Sequence, residues 1–215
     1  MLWSIIRFIK VFIQNLIWNF FLFQHGCPIG LSKTSWTMDI KDLKIVLKHI
    51  KRKLNNELII LELGSGVSSL IISSFLKKYQ KNGMLISIEG NKNYFDKLEK
   101  FILKYKLSSI LCLYYIDYFN YGSFIWFNKE SILKILKMFD KKIDIIIIDA
   151  PPGSLCNNSR APAIPFLLEF LNDKGVVFLH DTNREDEANI INHWSCFFSN
   201  IERYNTKCGL TKFEK

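Results

Sequence analysis

Residues 57–69 read ELIILELGSGVSS, an apolar run broken by Glu62 and closed by Gly64 and Gly66. Such a run is a buried strand that delivers its last residues to a tight turn. Four further runs have the same character: Met84–Glu89, Ile110–Tyr115, Ile143–Asp149 and Gly175–His180. The fourth strand, IDIIIID, is apolar on both faces, as a strand between two helix layers must be. Helical spacing places helices between them at about Ser68–Tyr79, Lys92–Tyr105, Lys129–Phe139, Pro165–Leu171 and Arg184–Trp194. Alternating strands and helices predict an α/β fold, a doubly wound and mostly parallel sheet. Residues 196–215 carry two short runs around Gly209, which predict an antiparallel hairpin closing the sheet.

Outward from this pattern, 215 residues suffice for one α/β domain with a full core. Hydrophobic residues make up 49% and aromatics 14%, which excludes a disordered chain. Lys and Arg outnumber Asp and Glu by 29 to 20. That excess points to an anionic partner (membrane lipid, an acidic small molecule or nucleic acid) or to the chain's general richness in Lys, Ile and Asn. The five cysteines form no CxxC, so a disulfide framework and a structural zinc site are disfavoured and a reducing, cytosol-facing compartment is expected. Internal repeats are absent.

Residues 1–24 form the most apolar stretch, interrupted by Arg7 and Lys10. The uncharged run from Val11 to Gly26 is about 15 residues, against the roughly 20 that a spanning helix needs. On a helical wheel Ile5, Ile6, Ile9, Phe12, Ile13, Leu16, Ile17, Phe20 and Phe23 fill one half. Ser4, Arg7, Lys10, Gln14, Asn15 and Asn19 lie in the other, diluted by Trp3, Phe8, Val11, Trp18, Phe21 and Leu22. This predicts an amphipathic helix lying in a membrane interface, with packing on the domain, dimerisation and a true span as alternatives. Residues 25–36, with Gly26, Pro28 and Gly30, read as a linker, and 37–215 as the domain. A helix from about Thr37 to Leu54 opens it, apolar at Ile40, Leu43, Val46, Leu47 and Ile50 and basic on its other face.

In doubly wound sheets ligands bind at the carboxyl ends of the strands. Each strand here is followed there by polar or glycine residues: 62–69, 89–91, 116–118, 149–153 and 180–184. The Gly64–Ser65–Gly66 turn lets backbone approach a ligand at a helix N-terminus. It is no phosphate-gripping loop, because no GK[ST] follows, and Glu62 would repel a pyrophosphate while suiting an ammonium group. Glu89 can accept the hydroxyls of a ribose or cap the turn after it.

LELGSG, then ISIEG, then IIIIDAPPG together resemble the class I S-adenosylmethionine-dependent methyltransferases, over about residues 37–215. The resemblance implies a Rossmann-like methyltransferase fold of seven strands, the last antiparallel. It implies that Glu62, Gly64, Ser65, Gly66 and Ser68 surround the methionine moiety, with Ser68 standing where many members have glycine. It places Glu89 and Gly90 at the ribose hydroxyls and Ile116 and Asp117 beside the adenine. DAPPG followed by Arg160 in RAPAIP, and then HDTNREDE, resembles small bacterial methyltransferases with a DGPPG-type fourth motif.

Asp149 ends the fourth strand beside the expected methyl group and is a candidate to orient the acceptor, to act as base or to bind the methionine amine. His180 is a candidate base toward an acceptor hydroxyl. Arg160 either pairs with an acidic acceptor or caps a local carboxylate. Asp149 and Asp181 are the candidate ligands of a divalent cation such as Mg2+, as in metal-dependent relatives. Thr182 follows Asp181, so their Asp, Asp, Asn pattern is imperfect. The resulting expectation is a methyltransferase, of O-methyl type, on the cytoplasmic membrane face, acting on a small-molecule, glycan or lipid-linked acceptor. A nicotinamide-dependent oxidoreductase and an inactive membrane-associated binding protein are the alternatives. Nucleic acid is disfavoured because no base-specific fourth motif is present.

Overall fold

The computed structural model describes residues 2–32, 37–53, 57–79 and 82–215, leaving aside the side chains of residues 2–5. Met1, residues 33–36 of the expected linker, Leu54 at the expected helix end, and the side chains of Trp3, Ser4 and Ile5 lie outside that description. Helix α1 spans Leu2–Gln24 and α2 spans Ile40–Arg52. Then β1 (Ile59–Leu63), α3 (Val67–Tyr79), β2 (Met84–Glu89), α4 (Lys92–Lys104) and β3 (Leu111–Tyr115) alternate. A small antiparallel pair follows, β4 (Tyr118–Asn120) and β5 (Ile125–Phe127), then α5 (Lys129–Phe139) and β6 (Ile143–Ile148). The chain ends with α6 (Ala163–Leu167), β7 (Leu171–His180), α7 (Glu185–Trp194), β8 (Asn200–Tyr204) and β9 (Leu210–Glu214).

The main sheet has seven strands in the order β3-β2-β1-β6-β7-β9-β8. Only β9 runs against its neighbours, so the tail does close the sheet with an antiparallel hairpin. Alternation within IDIIIID explains the two cores: Ile145 and Ile147 face the layer of α2, α3 and α4, and Ile146 and Ile148 face that of α5, α6 and α7. Each fully buried side chain of this size contributes about 1.5–3 kcal/mol. Asn91 and Asn128 accept the Tyr94 and Ser131 N–H groups and start α4 and α5 immediately after the strand ends.

The predicted Pro165–Leu171 helix is displaced. Helix α6 ends at Leu167, a 3-10 turn covers Leu168–Phe170, and Leu171 already belongs to β7. Strand β7 is longer than predicted because Leu171 pairs with Ile143 across a register shift, and the pairing carries polar Asn172–Lys174 into the strand. The β4–β5 pair was not expected: strands of three residues are too short to show alternation.

Among the described side chains of α1, those of its last turns rest on the domain. Trp18, Phe21 and Leu22 are buried, and Trp18 Nε1 donates to the Leu31 carbonyl at 2.6 Å. All three lie in the half of the wheel read as polar. The described part of the apolar half, from Ile6 to Phe23, stays exposed, with Phe12 at 55% and Phe20 at 61%.

Candidate active site

The glycine turn between β1 and α3 is held by its neighbours. Gly64 N–H donates to the Ile88 carbonyl at 2.9 Å and Asp149 N–H to the Leu63 carbonyl at 2.8 Å, so three strand ends are stitched together. Gly64 has φ +97°, and a Cβ there would meet Ala150 Cβ at 2.9 Å and its backbone nitrogen at 3.1 Å. Only glycine satisfies both demands.

Glu62 does not face the cleft. It is 1% exposed and lies beneath the turn. Ser68 donates to Oε1 at 2.6 Å, Ser87 to Oε2 at 2.7 Å, and Ser69 to Oε2 as well. Burial pushes the carboxyl up to about 7, against the pull of these hydroxyl donors. The expected contact with a methionine amine is therefore corrected to a supporting role, and Ser68 turns inward with it. Ser65 is buried too, its Oγ 2.7 Å from Ser87 Oγ.

Glu89 closes β2 beside the turn. Its Oε1 accepts the Asn91 N–H at 2.6 Å, and burial raises it to about 6 while the backbone N–H groups of Asn91, Gly90 and Ser65 lower it. A Cβ at Gly90 would lie 2.2 Å from Tyr118 Cζ, so any side chain there would push the ring aside. The Tyr118 ring thus lies against Gly90, braced by Phe127 with centroids 4.9 Å apart. Ile116 is buried and its N–H donates to the Glu89 carbonyl at 3.0 Å. Asp117 is exposed and accepts the Tyr115 hydroxyl. The sequence places Tyr118 on the right strand end but assigns it no role; the glycine opposite it was the available signal.

The predicted catalytic residues converge across β6 and β7. His180 Nδ1 is 3.0 Å from Asp149 Oδ1 and 3.4 Å from Asp181 Oδ1. Arg160 Nη2 is 3.3 Å from Asp149 Oδ1 and 3.1 Å from Asp181 Oδ2. Arg160 is 2% exposed and also donates to the carbonyls of Pro151, His180 and Asp149. It is the cap of local carboxylates, and its burial corrects the reading in which it meets an acidic acceptor. Burial works to raise Asp149, but His180, Arg160 and Arg184 together hold it below the usual carboxylate range.

Asp42 completes the cluster and was missed. It is fully buried on α2, with Oδ2 3.3 Å from His180 Nε2. Its signal was an acid flanking Leu43 and one turn from Val46, on the apolar side of an otherwise basic helix. Burial alone would lower His180, but Asp149 and Asp42, with Asp181 beyond them, push it up to about 10. Carboxylates facing both ring nitrogens favour the protonated ring, and these contacts occupy the nitrogens that the expected general-base role would use. Glu187 on α7, 2% exposed, lies 3.6 Å from Arg160 Nη1.

A divalent cation does not fit between Asp149 and Asp181. Magnesium would need oxygen contacts near 2.1 Å in octahedral array, and the space is filled by Arg160 and His180. Asn183, the nearest residue to a third ligand, donates instead to the Thr206 carbonyl at 3.2 Å. Ligand atoms of His180, Asp181 and Cys208 lie within 4.8 Å of one another, but the histidine is already engaged. At the other end of the sheet, an open cavity of about 370 Å3 between Lys53, Asp144 and Asn172 is remote from all of these groups.

Residues 61–182 match the family described as a methyltransferase domain, more than half of the chain. The chain belongs to that family. This methyltransferase has the class I S-adenosylmethionine-dependent fold, as three solved structures illustrate. An O-methyltransferase from Bacillus cereus, in complex with S-adenosylhomocysteine, is 12% identical with TM-score 0.59, covering 85% of this chain and 84% of that one. The O-methyltransferase TomG from Streptomyces achromogenes, involved in tomaymycin synthesis and bound to S-adenosylmethionine, gives 13% and 0.57, covering 82% and 80%. A S-adenosylmethionine-dependent O-methyltransferase from Thermotoga maritima gives 14% and 0.58, covering 85% and 67%. No curated protein matches the sequence. The methyltransferase's cofactor cradle fits its own residues in the donor set: the Glu89 carboxylate stands among the backbone N–H groups of Ser65, Gly90 and Asn91, and at Gly66 only the Ser68 and Tyr94 hydroxyls, both at 3.8 Å, approach the place of a Cβ.

Proposed function

We propose that this methyltransferase transfers a methyl group to a hydroxyl of a small-molecule, glycan or lipid-linked acceptor at the cytoplasmic face of a membrane. The observation that carries the reading is Glu89, an acid at the end of β2 against the glycine turn, where a ribose would offer two hydroxyls. Bound S-adenosylmethionine supplies an electrophilic methyl group. The Gly64–Gly66 backbone would carry its methionine end, with Ile116 and Tyr118 beside the adenine. Asp149 is kept ionised by its cationic neighbours, so it accepts a hydrogen bond from an acceptor hydroxyl and aims it, and the proton the hydroxyl loses on methylation passes to this partly exposed carboxylate and on to water.

Membrane placement is supported by α1, whose apolar half is left open by the domain while Arg7 and Lys10 are also exposed. Lys41, Lys44 and Lys48 add an exposed basic face on α2. Calorimetric titration with S-adenosylmethionine, S-adenosylhomocysteine and NAD tests the cofactor. Glu89→Ala is expected to weaken binding about 100-fold, two charge-assisted hydrogen bonds being lost. No binding by the folded wild type would end the methyltransferase reading. Co-sedimentation with phosphatidylglycerol vesicles, expected to fall when Phe12 and Phe20 are both changed to Ser, tests the placement; unchanged sedimentation would remove it.

A further inference from the structure

Two acids at adjacent strand ends, aimed at one point, ordinarily need a cation to coexist. Asp149 and Asp181 follow β6 and β7, and their oxygens converge on Arg160 Nη2 at 3.3 and 3.1 Å. The guanidinium is held from behind: Nε donates to the Pro151 carbonyl at 3.2 Å, Nη1 to the His180 carbonyl at 2.9 Å, and Nη2 to the Asp149 carbonyl at 2.8 Å. Glu187, at 3.6 Å from Nη1, balances it on the far side. A group this buried and this fully bonded is fixed in place, and arginine keeps its charge at any working pH. His180, backed by Asp42, supplies a second cation against Asp149 Oδ1 and Asp181 Oδ1. The pairs that Arg160 and His180 make with the Asp149 carboxylate are all made at Oδ1.

We propose that Arg160 is a built-in cation standing where a divalent ion would bridge Asp149 and Asp181, so that this site aims its Asp149 carboxylate without a bound metal. The proposal rests on reading this cleft as the methyl-transfer site, and it makes Arg160 a positioning residue. A metal placed within ligand distance of both carboxylates would overlap the guanidinium nitrogen, and displacing it would strand Glu187 and three backbone carbonyls.

The test is a Mn2+ titration of chelator-treated full-length protein, followed by electron paramagnetic resonance and by thermal unfolding. Calorimetry with S-adenosylhomocysteine runs on the same samples. Wild type is expected to show no saturable Mn2+ uptake, no change of Tm with Mn2+ or Mg2+, and the same S-adenosylhomocysteine affinity with and without chelator. Arg160→Ala, checked for folding by circular dichroism, opens the space between the two carboxylates, with His180 still against both Oδ1 atoms and Arg184 still on Asp181 Oδ2. It is expected to gain one Mn2+ site that raises its Tm and that adding Asp181→Asn removes. Saturable Mn2+ binding by wild type that Asp181→Asn abolishes would overturn the proposal, as would a folded Arg160→Ala that takes up no metal. If that variant does not fold, the wild-type titration decides alone. Wild type that binds neither S-adenosylhomocysteine nor Mn2+ would defeat the methyltransferase reading and with it the aiming of Asp149, leaving Arg160 only as the cation between the two carboxylates.

Discussion

Replacing Asp42 by Asn removes one charge from the most deeply buried end of the cluster with little change of shape. Asp42 is fully buried and 3.3 Å from His180 Nε2. At an effective dielectric of 20 such a pair attracts by about 5 kcal/mol, before the cost of dehydrating both groups. Removing one partner of a buried pair costs roughly 3–5 kcal/mol. His180 keeps Asp149 and Asp181, so the lower figure, about 3 kcal/mol, is expected for Asp42→Asn. With a urea slope near 3 kcal/mol/M, this moves the unfolding midpoint down by about 1 M, read from the fluorescence of the buried Trp126 and Trp194. The loss must also depend on pH. His180 is raised from 6.5 to about 10 in the fold, so its contribution is fully present below 6.5 and disappears as pH rises through about 10. The gap between wild type and variant is therefore widest near pH 6 and closes above pH 10. Equal midpoints at pH 6, or the same gap at both ends, would refute the charge argument.

Two further outcomes follow from the glycine turn. Gly64→Ala, forced to φ +97° against Ala150, is expected to cost about 2 kcal/mol, a fall of roughly 4–8 °C in Tm, and to weaken S-adenosylhomocysteine binding at least tenfold. Unchanged calorimetry would contradict the cradle. Glu62→Gln is expected to stabilise the fold by about 1–2 kcal/mol relative to wild type at pH 8 but not at pH 4. Glu62 is raised from 4.5 to about 7, so its unfavourable ionisation sets in between those values as pH rises. Cofactor affinity should stay within a few-fold, because the carboxylate faces serines rather than the cleft.

The α/β architecture was legible because buried parallel strands cannot disguise themselves: ILE and IIII runs bounded by glycine and acid have few other uses. Strand ends were legible for the same reason, and His180 pairs with both Asp149 and Asp181. The direction in which a side chain turns was not. Glu62 and Arg160 sit at the expected positions yet point inward, because partners distant in sequence compensate them: Ser87 for Glu62, Glu187 for Arg160. Helix α1 shows the same gap between pattern and contact. Its periodicity identifies an apolar half, but the domain is touched by Trp18, Phe21 and Leu22 from the other half. Shape complementarity at the seat, which no periodicity encodes, decides that.

Asp42 belongs to α2, upstream of the 61–182 span shared with the methyltransferase family. The cleft is thus not self-sufficient within the portion of chain that defines its family. A graft of the shared portion onto another scaffold would inherit Glu89, the glycine turn, Asp149 and Asp181 but leave His180 Nε2 without its Asp42 partner. Anyone dividing this chain for engineering has to cut before Asp39, whose side chain starts the helix that brings Asp42 in.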